Sequence, residues 1–324
     1  MTRDNPLSVT LPIDLDHAIH TMTQDLPESA MKRFFLLCAT LMLGTAAYSA
    51  EPAKVRVLLI DGQNTPVMKK YLDDTTRFET TIATAPAKPG KDGNAEEYKK
   101  QMAAFKPDLA KVDVVVSNYN GDSWGKEFND NLDAKLKEGK VGLVIIHAAN
   151  NAFGGWKEWN KMIGLGWRDR NFGKRLKLTD DGKEVFMKAG EDSSTNHKYT
   201  GDFLITVRDK DHPVTKGMPV EWMHHRDELY DNLRGPAENI KVLATAMAPK
   251  GKGTDVHEPM IFTIDYGKGK VFHTPMGHDA NSMRCVGFAS TLQRGTEWAA
   301  TGKVTIELPK NFPTADKSSL NPEK

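Results

Sequence analysis

Val141-Gly142-Leu143-Val144-Ile145-Ile146-His147 is the stretch on which the reading of this chain turns. An unbroken apolar run of this length suits a strand buried on both faces, as in parallel sheets. It closes on an imidazole, where the chain passes to His147-Ala148-Ala149-Asn150-Asn151. Just upstream, Gly125 to Glu138 carries Phe128, Leu132 and Leu136 at four-residue steps, one apolar face of a helix that Gly139 ends. Further back, Val112 to Val116 is another buried run, and Ala95 to Phe105 has Tyr98, Met102 and Phe105 at helical spacing. Phe78 to Ile82 alternates like a strand, Pro66 to Asp74 makes a short helix, and Val55 to Ile60 is a strand ending at Asp61-Gly62.

Strand and helix thus alternate over residues 55–147, which predicts a parallel sheet covered by helices on both faces. Ligands of such sheets sit beyond the carboxyl ends of the strands. Those ends are polar here: Asp61-Gly62-Gln63-Asn64, Ser117-Asn118-Tyr119-Asn120 and the His147 segment. Their convergence locates a candidate site.

Downstream the pattern loosens. Phe153 to Trp167 is aromatic and glycine rich. Lys174 to His197 is very polar and is expected to be a mobile insertion. Phe203 to Val207, Val242 to Ala246, Met260 to Ile264 and Lys270 to His273 are expected strands, the last two joined by a tight Gly267-Lys268-Gly269 turn. The tail, residues 306–324, is expected to be flexible, since from Pro309 it is rich in Pro, Lys and Ser.

At the N-terminal side, Met31-Lys32-Arg33 precedes an apolar run from Phe34 to Leu43 and a small-residue stretch ending Ala47-Tyr48-Ser49-Ala50. That charged, apolar, small order predicts a secretory signal over residues 31–50, with a buried N-terminal helix as the alternative. Met31 is then a candidate start and residues 1–30 an upstream extension. Cleavage near Ser49 or Ala50 would deliver residues 51–305 as a single secreted or periplasmic domain, with no membrane insertion afterwards. Cys285 would be its one cysteine, so no internal disulfide forms.

Composition sets outer limits. Hydrophobic residues make up 39%, enough for a sizeable core. Lys and Arg total 44 against 43 Asp and Glu, so no basic excess suggests a nucleic-acid partner.

Candidate chemistry rests on a few polar groups. His147 closes a buried strand, where a functional role outweighs a structural one. Asp227-Glu228-Leu229-Tyr230 sets two carboxylates beside a phenol, suited to a general base or to orienting an imidazole. A solvated acidic turn or a helix N-terminus is the competing reading. Met276-Gly277-His278-Asp279 follows a strand, and Gly277 permits close approach. A divalent metal is a candidate cofactor, with His147, His225, Glu228 and His278 as its ligands. No HExxH spacing exists, so the ligands would have to be assembled across loops. Trp156 is the candidate for stacking on a sugar, although tryptophans more often serve packing.

Several short segments together resemble the ThuA-like (trehalose utilisation) family. They are Asp113-Val114-Val115-Val116, Gly142 to Ala149, Asp211-His212-Pro213-Val214-Thr215-Lys216-Gly217-Met218-Pro219, Asp227 to Tyr230, Tyr266 to Phe272, Gly277-His278-Asp279 and Trp298-Ala299-Ala300. They stand in family order over about residues 54–300. The resemblance implies a flavodoxin-like three-layer α/β sandwich with a mainly parallel central sheet, of the class I glutamine-amidotransferase type. It places His147, Glu228 and His278 among the family's characteristic polar positions, which become the candidate catalytic residues. It also implies sugar chemistry, with (3-keto) disaccharides or glycosides as small-molecule partners. Asp61, Asn64, Asn118, Asn120, Asn150, Trp156, Tyr230 and Asp279 are then candidate substrate contacts. Amidotransferases need a cysteine after the corresponding strand. His147-Ala148 stands there instead, so glutaminase chemistry is not expected. A non-catalytic sugar-binding protein of the periplasm is the alternative to an enzyme.

Overall fold

The computed structural model describes residues 53–91 and 93–322. The expected signal segment and upstream extension lie outside the described residues. No helix among the described residues is long and apolar enough to cross a membrane.

The first part follows the alternation read from the sequence. Strand β1 (Val55–Ile60) leads to helix α1 (Thr65–Asp73), β2 (Phe78–Ala83), α2 (Ala95–Ala104), β3 (Val114–Ser117), α3 (Lys126–Lys137) and β4 (Gly142–Ile146). A 3-10 turn, His147–Asn150, follows, then α4 (Lys157–Ile163). The remaining strands are β5 (Lys174–Leu178), β6 (Glu184–Met187), β7 (Asn196–Val207), β8 (Glu221–Asp231), β9 (Arg234–Gly235), β10 (Ile240–Ala246), β11 (Glu258–Tyr266) and β12 (Gly269–Thr274). Helices α5 (Ala280–Met283) and α6 (Val286–Thr301) follow the last strand.

Nine strands form one sheet in the order β2-β1-β3-β4-β12-β11-β10-β7-β8. Its first half is parallel: β1 pairs with β2 and β3, β3 with β4, and β4 with β12. From β12 onward every pairing is antiparallel. The parallel sheet expected from the sequence is therefore present and extended by an antiparallel half. Strand β12 belongs to both, and the β11–β12 hairpin turns at Gly267 with φ 62°.

The apolar run of β4 explains the layering. Leu143 and Ile145 pack on one face among α2, α3 and α4 residues such as Met102, Leu132 and Met162. Val144 and Ile146 pack on the other with Met68 and Leu72 of α1 and Phe288 and Leu292 of α6. Side chains alternate across a strand, so a continuous apolar sequence supplies two cores at once. This is a three-layer sandwich.

Two expectations are corrected. The polar stretch Lys174–His197 is not a loose insertion. It supplies β5 and β6, which with β9 form a second, three-stranded sheet, and it begins β7. Its polar groups are consumed internally: buried Arg175 pairs with Glu258 and Asp192, while Leu176 and Leu178 enter the core. The tail is anchored as well. Phe312 packs edge-on against Trp222, the Met223 N–H donates to Thr314 O at 2.8 Å, and Val286 N–H donates to Ser319 O at 2.8 Å.

Candidate functional site

His147 leaves β4 with φ 38°, a left-handed conformation that costs a non-glycine residue about 1–3 kcal/mol. The turn is held from below by Asn118. Its amide Nδ2 donates to Gln63 O at 3.0 Å, and its Oδ1 accepts the Ala148 N–H at 2.9 Å. Asn118 is fully buried, so its groups serve this turn and are not offered to a substrate. Asn150 is likewise buried, its Nδ2 donating to His273 Nε2 at 3.3 Å. Asn118 departs from the sequence expectation because a polar residue at the end of a crowded parallel strand satisfies neighbouring backbone before it can serve a ligand. Asn150 departs from it by full burial, with its amide spent on His273 of β12.

The tautomer of His147 follows from its partners. Nδ1 lies 2.8 Å from the Pro275 carbonyl, which can only accept, so Nδ1 carries the proton and Nε2 is bare. Burial lowers the pKa of the ring, which keeps it neutral. Three groups face Nε2. The Tyr230 hydroxyl donates to it at 3.0 Å, His278 Nδ1 lies at 3.2 Å, and Glu228 Oε2 at 3.7 Å. His278 Nδ1 is also 3.1 Å from Glu228 Oε2. Burial raises the pKa of Tyr230, so its hydroxyl stays a donor.

The other two members arrive from far along the chain. Glu228 and Tyr230 share one face of β8, which the sequence presented as an acidic turn or helix start. His278 follows β12. Asp227 joins the two. Its fully buried carboxylate accepts the Gly277 N–H at 2.6 Å, the His278 N–H at 3.1 Å, the Glu228 N–H at 2.8 Å and His224 Nε2–H at 2.8 Å. These donors hold its pKa down against burial. Gly277 has φ 103°, and a Cβ there would meet Phe288 at 2.7 Å. Only glycine lets the loop pass close enough for both amides to reach Asp227.

The other expected residues take different places. Asn64 Nδ2 donates to the His278 carbonyl at 3.2 Å and so steadies that loop. Asp279 caps α5, accepting the Ser282 N–H at 2.7 Å. His225 Nδ1 faces Asp202 at 3.4 Å and is not one of the three clustered ligand groups. Asp61 and Asn120 line a separate polar cavity of about 570 Å³ with Gln63, Tyr98, Tyr119 and Asp122. Trp156 stacks on Trp159 with centroids 5.7 Å apart, so one of its faces is already taken.

Two neighbours were not singled out in the sequence. His197 Nε2 lies 3.4 Å from Glu228 Oε1, and Trp167 packs against both Tyr230 and His197, with centroids at 4.7 and 5.5 Å. No local motif announces them. They reach the site through the β7–β8 pairing and a backbone bond from Trp167 N–H to Asn150 O.

His147, Glu228 and His278 suit a divalent cation. Each offers one ligand atom, and these atoms lie within 4.8 Å of one another. Four-coordinate zinc with bonds of about 2.0–2.2 Å spaces its ligands roughly 3.4 Å apart. The observed separations of 3.1, 3.2 and 3.7 Å bracket that spacing. Two imidazole nitrogens and a carboxylate are also a donor set that leaves a coordination position open.

The family model for ThuA, trehalose utilisation, matches residues 42–299. This chain belongs to the ThuA family. It is 39% identical to a ThuA-like protein from Parabacteroides merdae whose crystal structure superposes with a TM-score of 0.75, covering 83% of this chain and 98% of that one. A ThuA-like protein from Bacteroides uniformis shares the fold at 17% identity and a TM-score of 0.52, covering 80% and 97%. No protein of the curated set matches the sequence. Where amidotransferases of related fold need a thiol, this ThuA protein has an imidazole on a strained turn. Its Cys285 lies buried at the start of α6 instead.

Proposed function

We propose that this ThuA protein is an exported carbohydrate-processing enzyme that cleaves a 3-keto disaccharide or glycoside. The observation that supports this most is the meeting of bare His147 Nε2, His278 Nδ1 and Glu228 beside the Tyr230 hydroxyl, in a family linked to trehalose utilisation. A keto group at C3 makes the C2 hydrogen acidic. Glu228 Oε1 faces away from the imidazole pair and takes that proton. The C2–H electron pair becomes the C1–C2 double bond as the C1–O bond breaks. The departing oxygen collects the same proton from Glu228, which leaves an unsaturated keto-sugar and an alcohol and returns the carboxylate to its starting state. On substrate entry the Tyr230 hydroxyl turns its one proton from His147 Nε2 to a hydroxyl or keto oxygen. When bound at His147, Glu228 and His278, a divalent ion supplies Lewis-acid polarisation of the keto oxygen.

The test is incubation of the processed protein with 3-keto-trehalose and a 3-keto-glucoside, each with and without zinc or manganese. Release of the second sugar or alcohol is expected, and Glu228→Gln should cut it by about 10²-fold or more. Absence of release under every condition would remove the enzymatic reading. Sugar binding that survives His147→Ala without any turnover in the parent would favour a periplasmic binding protein. Export is checked by the mature N-terminus, expected near residue 51.

A further inference from the structure

We propose that Trp167 and His197 form the subsite for the second sugar ring, the one that departs from C1. This rests on the elimination proposed above and adds the direction in which the substrate lies. If Glu228 Oε1 carries the proton from C2 to the departing oxygen, that oxygen must come within reach of Oε1. The neighbour of Oε1 is His197 Nε2, at 3.4 Å, whereas Oε2 faces His147 and His278. The departing ring therefore extends over the β7 side of the crevice.

That side is built to receive a ring. Trp167 is half-buried beside His197, with ring centroids 5.5 Å apart, and abuts Tyr230 edge-to-face at 4.7 Å. The His197 side chain is 40% exposed, so the pair borders open space rather than core. An indole face held beside polar groups suits the C–H face of a pyranose, whose hydroxyls point sideways to donors and acceptors. Trp167 is also rigidly mounted. Its N–H donates to Asn150 O at 3.2 Å, and its carbonyl accepts Arg168 Nη1 at 2.8 Å. The same guanidinium donates to the carbonyls of Asn150, Asn151 and Ala152 at 2.7 to 3.0 Å. With its backbone tied in this way and its ring packed on Tyr230 and His197, Trp167 loses little entropy when a ligand stacks on it. The accessible part of the His197 ring lies beside Trp167 and leaves room for a sugar ring to pass over the pair.

Calorimetry on the full mature protein separates the possibilities without needing turnover. The probes are 3-keto-trehalose and methyl 3-keto-α-glucoside, which lacks the second ring. Trp167→Ala should weaken disaccharide binding on the order of tenfold more than methyl glycoside binding, and Trp167→Phe should recover most of that difference. His197→Gln, at a more exposed position, should show the same bias in binding affinity should Trp167→Ala fail to fold. Equal weakening of both ligands, or of neither, would overturn the subsite while leaving the sugar reading intact. If the parent protein binds neither sugar, the subsite falls together with that reading.

Discussion

Four hydrogen bonds meet on the buried carboxylate of Asp227, and they tie a strand of the antiparallel half to the loop that carries His278. A charge this deep is tolerated only while its donors stay in place. Asp227→Asn keeps the size but turns half of the acceptor set into a donor facing backbone N–H groups. The expected cost is about 2–4 kcal/mol of stability together with a 10–100-fold weaker hold on a divalent ion at His147, Glu228 and His278. Urea melts and zinc titration would measure both. A variant with parental midpoint and parental zinc affinity would show that Asp227 does not organise the site. In the sequence Asp227 and Glu228 looked alike, a pair of neighbouring acids. Only the folded partners separate one as a fastener and the other as a reactive group.

Among the elements, those whose pattern is local were legible and those held by distant partners were not. Strands β1, β3 and β4 and helix α3 carry their period in their own residues, so the parallel half and the His147 strand end could be read directly. Strand β8, Glu221-Trp222-Met223-His224-His225-Arg226-Asp227-Glu228-Leu229-Tyr230-Asp231, has no such period. Its buried polar positions make sense only beside β7, the Gly277 loop and the start of α6. The β5–β6 segment and the C-terminal tail misled for the same reason, because hydrophilic composition says nothing about pairing with a partner such as Glu258 or Trp222. The tail offers a direct check. Phe312→Ala should cost roughly 2–3 kcal/mol by exposing Trp222, seen as a lower denaturant midpoint. An unchanged midpoint would mean that the tail rests on the domain without supporting it.

On the scale of the whole molecule, the buried histidines set a dependence of stability on pH. Burial lowers His147, takes His212 down to about 4 and takes His273 down to about 3. Below the ordinary value near 6.5 the unfolded chain binds protons that these rings refuse, so stability falls as the pH drops from about 6.5 toward 4. His224 has the opposite sign. Burial opposes its charge, but Cys285 and Asp227 outweigh burial and raise it to about 10. Its contribution is complete below about 6.5 and is lost as the pH rises through about 10. Urea midpoints should therefore peak near pH 6.5 and decline on both sides, and a flat profile from pH 4.5 to 9 would contradict these assignments.

Strand β12, where the sheet changes from parallel to antiparallel, has a consequence for assembly. His147 comes from the parallel half, Glu228 from the far antiparallel edge, and His278 from the loop after the shared strand. A cation gripping all three would act as a rivet across the seam, present only when both halves have closed. Occupancy would then be paid back as resistance to unfolding: about 2.7 kcal/mol at a free ion concentration a hundred times the dissociation constant. Thermal melts of the parent should move upward with added zinc or manganese, and those of His278→Ala should stay put. An equal response from both proteins would place the ion elsewhere and leave the seam unriveted.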